Sequence, residues 1–179
     1  MTDIDTTSVS SRTRLYGKYR GTVTTNVDPM MLGRIQAIVP DATGAVPTSW
    51  AMPCVPFAGF GTGFFTVPPV GAAVWIEFEH GDPDHPIWVG GFWGSAAEVP
   101  AMARAVPPGV QGVTIQTTLT NGITVSDAPG PTGGILVKTT TGAMISVSDV
   151  GIVITNGKGA TISMTGPTVD VNVGALTVI

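Results

Sequence analysis

From residue 113 onward the chain repeats one pattern, and that pattern leaves few folds open. Short runs of β-branched and aliphatic residues alternate with Thr, Ser or Asn: Val113, Ile115; Ile123, Val125; Ile135, Val137; Ile145, Val147; Ile152, Ile154; Ile162, Met164; Val169, Val171, Val173; Leu176, Val178. A period of two marks half-buried strands. Successive runs begin seven to twelve residues apart, and Asn121-Gly122, Thr141-Gly142, Asn156-Gly157 and Thr165-Gly166 stand between them as turns. Such regular spacing is the grammar of a stacked β structure built from small units.

A single chain cannot complete that structure. Each strand offers two or three apolar side chains on one face, and no helical period is present to cover them. Alone, the sheet would carry a long hydrophobic face and open edges. Three chains wound about one axis remove both defects, each forming one wall of a triangular prism. Ile145, Val147, Ile152, Ile154, Ile162, Met164, Val169, Val171 and Val173 are the expected trimer core. Burying one such side chain contributes about 1.5–3 kcal/mol. Eight strands stacked at strand spacing give a prism on the order of 40 Å long, stiff because its core is closed and well packed.

Residues 16–95 follow different rules. Every Trp, Tyr and Phe lies before residue 105, and only five of the 20 charged residues lie beyond it. Residues 19–25, 34–39, 51–55, 73–78 and 86–90 read as short strands. Ile35, Ala37 and Val39 alternate with Arg34 and Gln36, and Val74, Ile76 and Phe78 alternate with Trp75 and Glu77. Five short strands without an amphipathic helix fit a Greek-key barrel of the OB type. The expected organisation is an N-terminal arm (1–15), a barrel (16–95), an Ala/Pro/Gly linker (96–112) and an all-β trimeric prism (113–179).

Composition narrows the function. Charged residues make up only 11% of the 179, against about 25% in an ordinary soluble domain, which fits surface buried against other copies. No apolar run reaches the roughly 20 residues of a membrane span, and the opening residues have no basic-then-apolar signal pattern; synthesis in the bacterial cytoplasm is expected. The net charge of −4 opposes binding to phosphate backbones. Aromatic residues Trp50, Phe57, Phe60, Phe64, Phe65, Trp75, Trp88, Phe92 and Trp93 suggest the rival reading, an OB module for nucleic acid or glycan on a trimeric stalk. A stacking surface needs a positive groove, however, and the first 105 residues hold six Lys or Arg against nine Asp or Glu. Lone Cys54, between Pro53 and Val55, reads as a packed thiol.

Three possible sites of chemistry reduce to turns and loops. Glu77, Glu79, His80, Asp82, Asp84 and His85 include suitable metal ligands, but Asp-Pro and His-Pro in this order fit a tight turn. Glu77 and Glu79 share one strand face and so cannot flank a sugar as a glycosidase pair must. Gly59-Phe60-Gly61-Thr62-Gly63 lacks the helix and Gly-Lys-Ser/Thr of a phosphate loop. No catalytic residue, cofactor or metal ligand is expected.

The stretch from Val67 to Gly94 resembles the OB core of phage baseplate spikes and the valine-glycine-repeat spikes of type VI secretion. The resemblance is carried by Pro68 or Pro69, Gly71, Val74 and Phe78, by the hairpin Gly81-Asp82-Pro83-Asp84 with Pro86, and by the closing strand Ile87 to Gly90. Gly33-Arg34 through Pro40, Trp50-Ala51 and Pro56 to Gly59 are similar to the earlier part of that pattern. The resemblance implies a structural spike of a contractile injection system or phage tail, resident in the baseplate, whose prism pierces a target envelope. It implies a homotrimer docked on a separate hub at the end of an inner tube, since only about 15 residues precede the barrel. The linker holds one acid, Glu98, and no room for the muramidase domain of some relatives. It also implies a conical tip protein of the Pro-Ala-Ala-Arg repeat type, docked on Leu176, Val178 and Ile179.

Overall fold

The computed structural model describes residues 13–178. They form two compact units that divide between Gly94 and Ser95.

The first unit is a small barrel. Its elements are β1 (Tyr19–Thr25), β2 (Gln36–Ile38), the helical turn α1 (Pro40–Thr43), β3 (Met52–Pro53), the paired β4 (Ala58–Gly59) and β5 (Thr62–Gly63), β6 (Ala73–Phe78) and β7 (Pro86–Gly91). The main sheet runs β2-β1-β6-β7-β3, with β3 parallel to β7. Ile35 and Ala51 bond each other's backbone both ways, at 3.2 and 2.7 Å, and this bridge joins the two ends of the sheet. The alternation sets what lies inside: Ile35, Ala37, Val39, Val74 and Ile76 are fully buried with Val23 and Ala51, and Phe78 and Trp88 close the core. Gly21 is needed where strands crowd, because an added Cβ would meet Ile76 and Val39 side chains at 3.2–3.3 Å.

Cys54 departs from expectation. It is exposed. It follows the last pairing of β3, Pro53 with Trp88, and its N–H donates to the Trp88 carbonyl at 2.9 Å. The backbone is held to the barrel there while the thiol faces out.

The second unit begins with a helical turn, α2 (Ala101–Arg104), and continues as β8 (Gly112–Gln116), β9 (Gly122–Ser126), β10 (Gly134–Lys138), β11 (Met144–Ser148), β12 (Gly151–Thr155), β13 (Thr161–Thr165), β14 (Thr168–Val171) and β15 (Leu176–Val178). These eight strands form one antiparallel meander in chain order. Turn side chains pin its corners: Asn156 Oδ1 accepts the Lys158 and Ala160 N–H groups at 2.8 and 3.1 Å, and Asn121 Oδ1 accepts the Thr140 N–H at 3.0 Å. Gly134 adopts φ 75°, and an added Cβ would lie 2.0 Å from the Val147 carbonyl oxygen.

Two further differences from the sequence reading have local causes. Part of the segment read as a bare linker folds onto this unit. Met102 is buried, its N–H donates to Gln116 Oε1 at 3.0 Å, and its sulfur lies 2.8 Å from where a Cβ on Gly122 would stand. The strand expected to reach Val173 ends at Val171. Asn172 and Val173 take left-handed φ of 52° and 54°. Asn172 Oδ1 accepts the Thr161 N–H and Asp170 Oδ1 the Gly174 N–H. These bonds turn the chain early, and Val173 is left 89% exposed.

Candidate functional site

The register of the meander builds an apolar ladder. Directly opposed residues of antiparallel strands share a face. Ile145 faces Ile154, and Val147 faces Ile152. Ile154 then faces Ile162, and Ile152 faces Met164. Ile162 and Met164 face Val171 and Val169, which in turn face Leu176 and Val178. Eight of the nine residues expected in the trimer core therefore lie on one face, and Val173 does not. The ladder also runs the other way, through Ile135 and Val137 to Val125 and Ile123 and on to Val113 and Ile115.

Among the described residues of one chain nothing covers this face. Its exposed members range from 65% at Val113 to 36% at Val169, and Ile152, Met164 and Val171 are half-buried. The opposite face carries Thr114, Thr124, Ser146, Ser163 and Asp170, interrupted by Leu136 and Val153. Thr114 and Thr124 hydroxyls meet at 3.0 Å. At the end of the ladder Leu176 and Val178 are more than half exposed, and among the described residues no strand pairs with the outer edge of β15. Ile179 lies outside the described residues.

The hairpin motif is a set of backbone bonds. Asp82 Oδ1 accepts the Asp84 N–H at 3.0 Å, the His85 N–H donates to the Asp82 carbonyl at 3.0 Å, and the Glu79 N–H donates to the His85 carbonyl at 2.9 Å. Pro86 is buried below it. Gly81 has φ 74°, and an added Cβ would sit 3.0 Å from the Tyr16 ring. The incoming chain is clasped here: Leu15 N–H donates to the Gly81 carbonyl and Arg14 Nη1 to the His80 carbonyl, each at 2.9 Å. Of the arm expected over residues 1–15, residues 1–12 lie outside the described residues.

The acidic and histidine side chains near this turn do not gather into a group of metal ligands. Glu77 ends in an ion pair with Lys18, and Glu79 belongs to the 3-10 turn Glu79–Gly81 rather than to the strand. Glu79, His80, Asp82 and His85 rim a shallow depression of about 330 Å³ beside Arg14. Among the described residues no three His, Cys, Asp or Glu side chains are grouped to hold a metal.

The sequence reading missed Asp28. Its carboxylate is buried and accepts the N–H groups of Met30, Leu32 and Arg34 at 3.0, 2.8 and 3.3 Å. It also takes Arg34 Nη2 at 2.6 Å, and the guanidinium lies 5.4 Å from the Trp50 ring. The Arg34 guanidinium first, and the three amides after it, hold the Asp28 carboxyl well below the usual carboxylate range against the opposing effect of burial. Arg34 is pushed up in turn by its bonds to Asp28. The available signal was Asp28-Pro29, a turn initiator five residues before Gly33-Arg34.

The glycine-rich segment is the β4–β5 hairpin, with Phe60 and Gly61 at its tip. Elsewhere the aromatics serve the barrel: Trp88 Nε1 donates to the Gly33 carbonyl at 3.1 Å, and Arg20 lies over Trp75 and Phe92 at 5.4 and 5.1 Å.

Two family models match these two units. Residues 19–93 match the type VI secretion system/phage-baseplate injector OB domain. Residues 112–177 match the phage baseplate V C-terminal trimerisation domain. No curated protein matches the chain.

Proposed function

The chain belongs to the phage-baseplate and type VI secretion spike family, and from that premise we propose that three copies form the central spike of a contractile injection particle or contractile tail. The family assignment makes the protein a structural component of a baseplate. In the proposed particle, the barrels dock on a separate hub at the end of the inner tube and the prism pierces the target envelope. The protein's work is mechanical. The ladder from Val113 to Val178 is the observation that carries this reading: its apolar face is continuous across eight strands and, among the described residues of one chain, uncovered. Threefold winding buries it in a rigid column without hinges.

β15 is the last described strand of that column. Its outer edge, unpaired among the described residues and with Leu176 and Val178 exposed, suits a conical tip protein that adds backbone bonds and apolar contact. Sedimentation of the purified chain tests the trimer. A folded trimer across the micromolar range is expected, and a stable folded monomer overturns the proposal. Puncture is tested by assembled particles: those lacking this chain contract but leave the target envelope sealed, and release of contents by such particles would assign piercing to another subunit.

A further inference from the structure

Phe60 occupies the tip of a two-residue turn between β4 and β5, a place where Gly, Asn, Asp or Ser is usual. Its side chain is fully exposed, at 108% of the reference value. Gly61 supplies the left-handed residue the turn needs, φ 67°, and the Phe64 N–H bonds the Phe57 carbonyl at 3.1 Å behind it. The turn therefore gains nothing from an aromatic ring at this position. The hairpin itself, through Gly59, Gly61 and Thr62, walls one side of a cleft of about 490 Å³ whose other sides carry Leu32, Met52, Val55, Phe64 and Phe65, with no charged residue in the lining. The loop forming one side is fixed from within by the three amides and the guanidinium on Asp28. One barrel thus presents both an apolar knob and a preformed apolar hole.

We propose that Phe60 of each chain seats in this cleft on the next copy, closing a ring of three barrels. The proposal rests on the homotrimer argued above. Phe60 stands at the rim of its own chain's cleft, between Gly59 and Gly61; under threefold symmetry a contact with another copy is head-to-tail, each Phe60 entering the cleft of the next chain. Trimerisation of the C-terminal unit tethers three barrels and selects closure. Tethering also raises their effective concentration to roughly millimolar for a short connection, so a contact too weak to hold free barrels together is populated in the trimer. A second copy is favoured over a charged partner because the cleft wall is uncharged and an exposed apolar ring is present in the same chain.

Cys54 supplies a probe, since it is exposed between Pro53 and the cleft residue Val55. In the full-length Phe60→Cys variant, mild oxidation should join the introduced thiol to Cys54 of the next copy, running as a covalent three-chain product on a non-reducing gel. Wild type, and Phe60→Cys combined with Cys54→Ser, should not give that product. Sedimentation on the same samples separates the two ideas: monomers would remove the trimer itself, whereas trimers that yield only single chains or pairs would overturn the ring alone. A second readout does not depend on disulfide geometry. Phe60→Ser trimers should bind a hydrophobic dye several-fold more strongly than wild type because the cleft is vacated. Equal dye binding by the two would mean that the wild-type cleft is open, or filled by something other than Phe60, and would overturn the proposal.

Discussion

Asp28 organises its loop through one carboxylate that bonds three amides and a guanidinium. The arrangement makes a definite statement about pH. The folded carboxyl titrates well below the usual range, first because of Arg34, whereas an unfolded Asp titrates near pH ~3.9. A depressed folded value gives stability that is fully present above about pH 4 and is lost as pH falls towards the folded value. All four Trp residues lie in the barrel, so their fluorescence reports its unfolding. Urea midpoints should be flat near neutrality and fall below about pH 4. Asp28→Asn should lower the midpoint at pH 7 and flatten the acid limb; an acid limb of unchanged steepness would assign it to other carboxylates. None of this was readable from Asp28-Pro29 alone, because the partners at positions 30, 32 and 34 converge only once the loop has closed. Cys54 was misread for a related reason. Flanking Pro53 and Val55 describe composition, while exposure depended on where pairing with Trp88 stops.

Strand alternation is the most legible level of this chain. Ile35, Ala37, Val39, Val74, Ile76 and Phe78 were placed by period alone and are the barrel core, because each strand has one buried face. The ladder was legible for the same reason, and failed only at Val173, where side-chain bonds from Asn172 and Asp170 stop the strand two residues early. The docking of Met102 on Gly122 was not legible: a single apolar residue in an Ala/Pro-rich stretch carries no period. Faces can be tested separately on β12. Ile154 lies in the ladder, whereas Thr155, opposite Thr161 and Met144, lies on the other face. Ile154→Asp places three carboxylates in the trimer core at a cost of several kcal/mol each and should yield monomers or aggregates in sedimentation. Thr155→Asp should remain trimeric with a nearly unchanged melting temperature. Equal damage from the two would reverse the assignment of inside and outside. On β15, Leu176→Ser with Val178→Ser should leave seven strands per chain to hold the trimer, while capture of the tip protein in a pull-down is lost. Undiminished capture would move the docking surface elsewhere.

The two units obey different stabilities. The barrel closes its own core: Val23, Ile35, Ala37, Val39, Ala51, Val74 and Ile76 are sealed within one chain, and burying each large one contributes about 1.5–3 kcal/mol. The meander has no such core. Most of its ladder residues from Val113 to Val178 are exposed in one chain, with Ile152, Met164 and Val171 half-buried, so its folding and its assembly are one event whose stability depends on protomer concentration. Division of the chain between Gly94 and Ser95 should therefore give unlike products. Residues 1–94 should be a folded monomer that unfolds at a temperature independent of concentration, because the Phe60 contact is too weak without a tether. Residues 95–179 should be trimeric, and their melting temperature should rise with concentration. Circular dichroism over a hundred-fold concentration range, with sedimentation at each end, checks both. A folded monomeric C-terminal fragment would mean that the ladder is covered within one chain, and the case for a threefold column would fall with it.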